Sequence, residues 1–275
     1  MQLRGANALI TGAAGGLGGH IAEALAQEGC SLVLTDLPGD ALEARANELS
    51  SSGTAVTAFG ANLRDGDELR GLVARAEEAS GPIDLLVNNA GVELTAPFID
   101  YTDDEIDTVL EVNLLAPMSL IRQAVPGMVE RRRGHVVTIA SLAGRISPAY
   151  MATYGLTKAA LIALTQSLRA EHVDNRVGFS AICPGFIRGA GMIEPLIDAG
   201  TEFTSTVPLS PPEVVGEAVV KAVRKDLPDV TFVHRRPIRA LLAMYAIAPR
   251  LTERLLIRSG TPHIFRATTK ARGRI

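Results

Sequence analysis

The chain has 275 residues, 47% of them apolar and 21% charged, with a formal net charge of -3. That is enough apolar material for a large core, and the length suits one α/β domain or at most two. The longest uncharged run, Gly5 to Ala22, is interrupted by glycines and does not read as a membrane-spanning helix. Neither the five histidines nor Cys30 and Cys183 stand at metal-ligand spacing, which argues for reduced, buried thiols and no metal.

The N-terminus, MQLRGANALITG, passes from Met1 directly into a strand-like segment with no signal-peptide layout, which predicts a cytoplasmic protein. Residues 6 to 35 then read as a strand (ANALIT), a glycine-rich turn (Gly12, Gly15, Gly16, Gly18, Gly19), a helix (HIAEALAQEG) and a second strand (SLVLTD). Glycines in such a turn let the backbone approach a pyrophosphate at the positive end of a helix, and this order of elements is the context a dinucleotide site requires. The second strand ends in Asp36, about 20 residues on, where a carboxylate can accept hydrogen bonds from ribose hydroxyls and repel a 2'-phosphate. No Arg or Lys lies in the turn or directly after Asp36, so the reading is NAD over NADP. The plain alternative for Asp36 is a strand-end residue before the Pro38-Gly39 turn.

The alternation continues with a helix near 41 to 50, a strand (TAVTAFG), a helix near 65 to 79 and a strand (IDLLVNNAG). Strands separated by such helices imply right-handed crossovers and a parallel sheet covered on both faces, with ligands beyond the carboxyl ends of the strands. Asn62, Asn88, Asn89, Ala90 and Gly91 fall there. Ala90 and Gly91 are small enough for close cofactor approach, although NNAG is also a good turn in its own right. Thr102 and Glu105 have the spacing of a capping box that opens a long helix. Within it Asn113 sits among apolar residues (LEVNLLAPMSLI), where its amide costs stability unless bonded, either to buried backbone or in a site. Arg131 to Arg133 read as the solvated end of that helix rather than a nucleic-acid patch.

The strand GHVVTIAS ends at Ser141, and a segment of helical period, TYGLTKAALIALTQSLRAEHV, carries Tyr154 and Lys158 at its opening. A spacing of four puts the phenol and the ammonium on one face, with Cβ atoms roughly 6 Å apart. An ammonium fixed at about 4 Å, at an effective dielectric near 20, favours the phenolate by around 4 kcal/mol. That predicts a tyrosine pKa well below its ordinary value of about 10, in the working range of a general acid or base. Ser141 could add a hydroxyl that binds the reacting oxygen. Tyr150 stands four residues before Tyr154, so a plain aromatic packing pair is the competing explanation.

A strand (VGFSAICPG), an irregular segment from Phe186 to Leu209, a helix opening at Ser210-Pro211-Pro212-Glu213 with a capping box, and a last strand (DVTFVH) complete the alternation. The irregular segment is long for a crossover and rich in Met, Ile, Leu, Phe and Thr, which predicts a lid over an apolar substrate. From His234 to Ile275 the composition changes to ten Arg or Lys against one acid, Glu253. Its apolar run, ALLAMYAIA, is far short of the roughly 20 residues needed to span a bilayer. A helix pair with basic flanks could lie on an anionic membrane surface, or form a packing arm over the substrate cleft or a neighbouring subunit. Sparse aromatic interleaving argues against nucleic acid. The chain thus divides into one domain over 1–233 and a basic, apolar extension over 234–275.

Taken together, TGAAGGLG (Thr11 to Gly18), Asp36, NNAG (88 to 91), Asn113, Ser141, Tyr154, Lys158 and PG (184 to 185) resemble the classical branch of the short-chain dehydrogenase/reductase family. The resemblance implies a Rossmann-type, doubly wound parallel sheet of about seven strands with helices on both faces, here followed by a C-terminal helical extension. It implies a nicotinamide cofactor that exchanges hydride with a carbinol carbon. Tyr154 would exchange the proton, Lys158 lower its pKa and hold the ribose, Ser141 bind the substrate oxygen, and Asn113 support a proton-relay water. Cofactor contacts are implied for Thr11, Gly12, Ala14, Gly15, Gly16, Leu17, Gly18, Asp36, Leu37, Asn62, Leu63, Asn89, Ala90, Gly91, Pro184, Gly185 and Ile187, besides Tyr154 and Lys158. Ile187 would offer backbone groups to the carboxamide.

Three features depart from the family pattern: Asn62 replaces a usual Asp, Gly189 stands where a Thr often follows the PG motif, and the chain continues well past its last strand. The expected activity is that of an NAD-dependent alcohol dehydrogenase or ketoreductase on a hydrophobic secondary alcohol or ketone, in a homodimer or homotetramer. The alternatives are a non-catalytic NAD(P)-binding regulator or scaffold of the same fold, and an NADPH-dependent reductase such as a 3-oxoacyl reductase.

Overall fold

The computed structural model describes residues 1–189, 194, 209–232, 238–258, 266 and 269 of the chain. Its strands are β1 (Asn7–Thr11), β2 (Ser31–Asp36), β3 (Val56–Gly60), β4 (Leu85–Asn88), β5 (Gly134–Ile139), β6 (Val177–Pro184) and β7 (Asp229–Phe232). They form one sheet in the order β3-β2-β1-β4-β5-β6-β7, and every pairing is parallel. The direction of winding reverses between β1 and β4, and a crevice opens at such a switch point beyond the carboxyl ends of the strands. This is the doubly wound architecture expected from the alternation of strand and helix patterns.

The helices are α1 (Gly16–Gln27), α2 (Asp40–Ser51), α3 (Gly66–Arg70), α4 (Leu72–Ser80), α5 (Asp103–Leu110), α6 (Ala116–Glu130), α7 (Ala152–Glu171), α8 (Glu213–Lys225), α9 (Ile238–Ile247) and α10 (Pro249–Arg258). Strands β1, β4 and β5 are buried at every position, as a sheet covered on both faces demands. Successive strand residues point to opposite faces, so Ile10 and Leu34 join Leu25, Val219 and Val223 in one core, whereas Leu9 and Val33 join Leu86, Leu120 and Phe179 in the other.

Three expectations about helices are corrected. The single helix near 65 to 79 is split at Gly71 into α3 and α4. The long helix after Thr102 opens with the expected capping box but is interrupted by a π-helical turn over Glu111–Leu115, which holds Asn113. Helix α8 starts at Glu213 behind Pro212 without a side-chain cap, not at the box expected on Ser210. The backbone of Ser210 is committed elsewhere: its N–H donates to the Phe186 carbonyl at 2.8 Å and its carbonyl accepts from Arg188 N at 2.9 Å. Most of the segment read as a lid (190–193 and 195–208) lies outside the described residues, as do 234–237, 259–265, 267, 268 and 270–275 of the extension.

His135 of β5 illustrates how the interior sets a proton affinity. Its Nε2 lies 2.8 Å from Ser180 Oγ, and Ser180 donates to the Leu227 carbonyl, so the ring nitrogen is the donor. Burial pushes the imidazole down to about 4, with Asp226 opposing the change. Because the folded pKa lies below the unfolded one, the unfolded chain takes up this proton first as pH falls. The histidine is neutral in stability above about pH 6.5 and costs about 3 kcal/mol by about pH 4. Urea midpoints of the His135→Leu variant should therefore lack a slope between those pH values that the wild type shows. Equal slopes would refute a neutral buried imidazole.

Candidate active site

The carboxyl ends of β1, β2, β4, β5 and β6 open into one cavity of about 1290 Å³, lined at one end by the glycine-rich turn and at the other by apolar side chains. Gly12 has φ of +65°, and a Cβ there would lie 2.8 Å from Ala90 Cα, so only glycine lets the turn after β1 lie against the turn after β4. A Cβ on Gly18 would sit 2.0 Å from the Gly12 carbonyl oxygen, so this glycine seats α1 on the turn. At Gly15 only the Gly12 oxygen comes within 4 Å, at 3.5 Å, which leaves its cavity side open. No side chain caps α1 and no acid occupies its first turn. Its unbonded amides and positive dipole end can therefore receive an anion, and the cradle fits the pyrophosphate of a dinucleotide.

Asp36 closes this end. Its Oδ2 accepts from Ala14 N at 2.9 Å and its Oδ1 from Leu37 N at 2.8 Å, which aims a fixed carboxylate along the cavity wall. Among the described residues the one cation lining this part, Arg64, is already bonded to Glu111 at 2.8 Å and Asp104 at 3.1 Å; these bonds raise its pKa further. Asn62 uses its Oδ1 to accept from Arg64 N at 3.0 Å, leaving its amide N–H groups for a ligand. Ile187 bridges to Ser210 through its neighbours' backbone groups, so its own N–H and C=O point the other way, as in any parallel pairing.

Of the residues implied to bind or react, Thr11, Ala14 and Asn113 do not line the cavity; all the others do. Thr11 Oγ1 accepts from Asn89 N and Ala90 N at 3.1 Å each and thus ties β1 to the NNAG turn, while Ala14 spends its N–H on Asp36. Asn113 is wholly buried and grips the backbone of Val92 with both ends of its amide, Oδ1 accepting from N and Nδ2 donating to O, at 2.8 Å each. The structural option for Asn113 is thus realised. It lies directly behind Gly91, where a Cβ would come 3.3 Å from Asn113 Oδ1 and 3.4 Å from Lys158 Nζ.

The reacting corner is assembled by close packing of the turn after β5 on α7. Ser141 caps a short turn over Leu142–Gly144 by accepting from Ala143 N at 3.1 Å. A Cβ on Gly144 would lie 2.7 Å from the Lys158 carbonyl oxygen, so glycine allows that turn to touch the helix. Ser141 shares a hydrogen bond with the Tyr154 hydroxyl. Lys158 Nζ stands 5.5 Å from the Tyr154 ring centroid and donates to the Ile139 carbonyl at 2.9 Å. Tyr150, with φ of +68°, belongs to the turn before α7 rather than to the helix, and packs from there against the cluster of Met151 and Tyr154.

The three side chains are together, yet the expected electrostatics is overturned. Burial pushes the Tyr154 phenol up to about 12, Glu93 adds to this, and the Ser141 hydrogen bond opposes it. Burial likewise pushes Lys158 down to about 8. Desolvation is the leading cause in both cases, and the ammonium spends a hydrogen bond on Ile139. At neutral pH the pair is a neutral phenol beside an ammonium, and with Ser141 it can bind an oxygen and give it a proton.

The sequence did not single out Glu93, which lines the cavity near Tyr154, or the wall made by Met151 and Phe186. Nor did it place Leu241 and Tyr245 of α9 and Glu253 and Ile257 of α10 in this cavity, although an arm over the cleft was one of its two options for the extension.

A family model described as short chain dehydrogenase matches residues 6–199. The chain is 36% identical over 258 residues to the ketoacyl reductase HetN of Nostoc, covering 92% of this chain and 88% of that protein. It is 30% identical over 224 residues to the 3-oxoacyl-[acyl-carrier-protein] reductase FabG of Thermotoga maritima, covering 80% and 91%. A short-chain type dehydrogenase/reductase from Mycobacterium marinum has the same fold at a TM-score of 0.78 and 26% identity, covering 84% of this chain and 95% of that one. One from Burkholderia phymatum, in complex with NAD, matches at a TM-score of 0.80 and 24% identity, covering 91% and 96%. Motif order, sheet topology and relatives agree, and the chain belongs to the classical short-chain dehydrogenase/reductase family of oxidoreductases.

Proposed function

We propose that the protein is an NAD(H)-dependent ketoreductase and alcohol dehydrogenase acting on a hydrophobic ketone and the corresponding secondary alcohol. The observation that carries this reading is the corner of Ser141, Tyr154 and Lys158 at the floor of a cavity whose far wall is apolar, with Ile146, Met151, Phe186, Leu241 and Ile257 among its residues.

When bound, the nicotinamide nucleotide supplies or accepts the hydride. The first-turn amides of α1 with Gly15 and Gly16 hold its pyrophosphate, Asp36 the adenosine ribose, Asn62 the adenine, and the backbone of Ile187 the carboxamide. Ser141 and Tyr154 direct two hydroxyls at the substrate oxygen. Tyr154 gives that oxygen its proton in reduction and takes it back in oxidation, and the Lys158 ammonium steadies the phenolate formed in between. A phenol kept protonated at neutral pH supports reduction as the easier direction. Residues 1–233 carry all these groups as one domain, and Leu241, Tyr245, Glu253 and Ile257 of the extension add wall. The protein works in the cytoplasm as a homodimer or homotetramer, without nucleic acid, and any membrane contact is peripheral through the extension. Among the described residues no helix is long and apolar enough to cross a membrane.

Asp36 provides the test of cofactor choice. The wild type should show a higher kcat/KM with NADH than with NADPH, and Asp36→Ala should shift the ratio toward NADPH on the order of a hundredfold by removing a like-charge contact. A wild type indifferent to the 2'-phosphate would sink the NAD reading. A second reading, NADPH-dependent reduction of a 3-oxoacyl thioester, is favoured by the names of the two relatives. The same kinetics with such a thioester decides between them.

A further inference from the structure

The helical extension has two sides, and the cleft uses one. Helices α9 and α10 are joined by the single residue Ala248, whose carbonyl accepts from Leu251 N, Thr252 N and Thr252 Oγ1 at 3.1 Å each, and Pro249 opens the second helix. The pairs Leu241/Tyr245 and Glu253/Ile257, each four residues apart, line the cavity mouth, with Tyr245 and Ile257 themselves 37% and 55% exposed. Leu251 and Leu255 lie on the opposite side of α10 and are 54% and 43% exposed, and Ile247 at the end of α9 is 84% exposed. Arg250, Arg254 and Arg258 repeat at the same period, all exposed, and none has an ion-pair partner among the described residues. The one acid of the extension, Glu253, is on the cleft side.

Scattered exposed aliphatic residues are ordinary on a protein surface and name no occupant. The charge does. On α10, Arg254 and Arg258 border Leu251 and Leu255, while Arg250 lies on the flank toward Glu253; guanidinium groups without an ion-pair partner among the described residues, beside large aliphatic side chains, match a helix bedded in the headgroup layer. The aliphatic groups reach the acyl boundary and the arginines meet lipid phosphates. A helix is about 10 Å thick, so a surface on the outside of this pair is separated from the apolar cavity by little more than that distance. Hydrophobic substrates collect in that hydrocarbon.

We infer that the outer face of α9 and α10 docks on a bilayer containing anionic phospholipid, with the cleft directly behind it. Only the supply of substrate from the lipid rests on the proposed dehydrogenase reading; the docking does not. The test is flotation of the full-length protein, without substrate, on vesicles of phosphatidylcholine with or without about one-third phosphatidylglycerol. The protein should float with the anionic vesicles at about 0.1 M salt, sediment with the neutral ones, and be released at about 1 M salt. Replacing Arg250, Arg254 and Arg258 by Gln should weaken partitioning by about fivefold per charge, roughly a hundredfold in all. Melting temperature and turnover of a short soluble ketone should be unchanged. Ile247→Ser with Leu251→Ser should also weaken partitioning. Equal flotation on neutral vesicles, or none on either, overturns the docking. So does an arginine variant that binds vesicles normally but has lost mass in light scattering, because the face would then join two copies of this chain. Because flotation needs no turnover, its outcome stands apart from any failure to reduce ketones.

Discussion

Replacing Tyr154 by Phe is expected to lower kcat for ketone reduction by about 10³-fold while leaving the affinity for the nicotinamide nucleotide within a factor of about two. The substitution keeps the ring, which is buried with Met151 against Phe186 and Ala143, and removes only the hydroxyl that shares a hydrogen bond with Ser141. The loss therefore falls on the step in which the substrate oxygen gains charge. The pH profile adds an independent signature. With the phenol pushed up to about 12, the tyrosine stays protonated throughout the accessible range, so its own titration does not limit reduction. The group that changes charge is Lys158, pushed down to about 8. Reduction by the wild type should be level below that pH and decline above it, as the ammonium that steadies the nascent phenolate is lost. Oxidation, which needs the proton removed, should rise with pH. A Phe variant with more than about a tenth of wild-type kcat, measured by NADH absorbance, would falsify the assigned proton donor.

Lys158→Met is expected to remove activity and yet stabilise the fold. The lysine is buried, and its pKa falls from 10.5 in the unfolded reference to about 8 in the folded chain. A folded pKa below the unfolded one means that the unfolded chain holds the proton more tightly, so the cation is a burden on the native state. That burden is complete below about pH 8, shrinks as pH rises, and is gone above about 10.5, a change of about 3 kcal/mol. Methionine has a similar shape and carries no charge at any pH. It forfeits the hydrogen bond to the Ile139 carbonyl, which costs about 1 kcal/mol, so the net gain at pH 7 should be about 2 kcal/mol. Urea midpoints of the two proteins should differ most at pH 7 and converge toward pH 10.5. Turnover should fall by at least about a hundredfold, the exchange of stability for activity common at strained sites. A Met variant less stable than wild type at pH 7 would show that the buried ammonium is not penalised, and the proton assignments of the corner would fall with it.

Much of this site was legible before any coordinates. The glycine-rich turn, Asp36 at the end of β2, and Tyr154 and Lys158 one turn apart on α7 depend on local geometry: left-handed backbone at Gly12, a two-residue period in strands, a spacing of four on a helix. Short-range rules of that kind act between residues close in the chain, so the amino-acid order alone determined the alternation, the parallel sheet and which side chains meet at its carboxyl edge. Tertiary structure decided everything that depends on what surrounds a group. It set the proton affinities of Tyr154 and Lys158, where lost hydration is the leading cause of both shifts. It gave Asn113 to the backbone of Val92, drew Ser210 away from a helix cap to Ile187, and turned one side of α9 and α10 into a wall of the cleft. Those outcomes follow from burial and from contacts between residues distant in the chain, which no local pattern encodes.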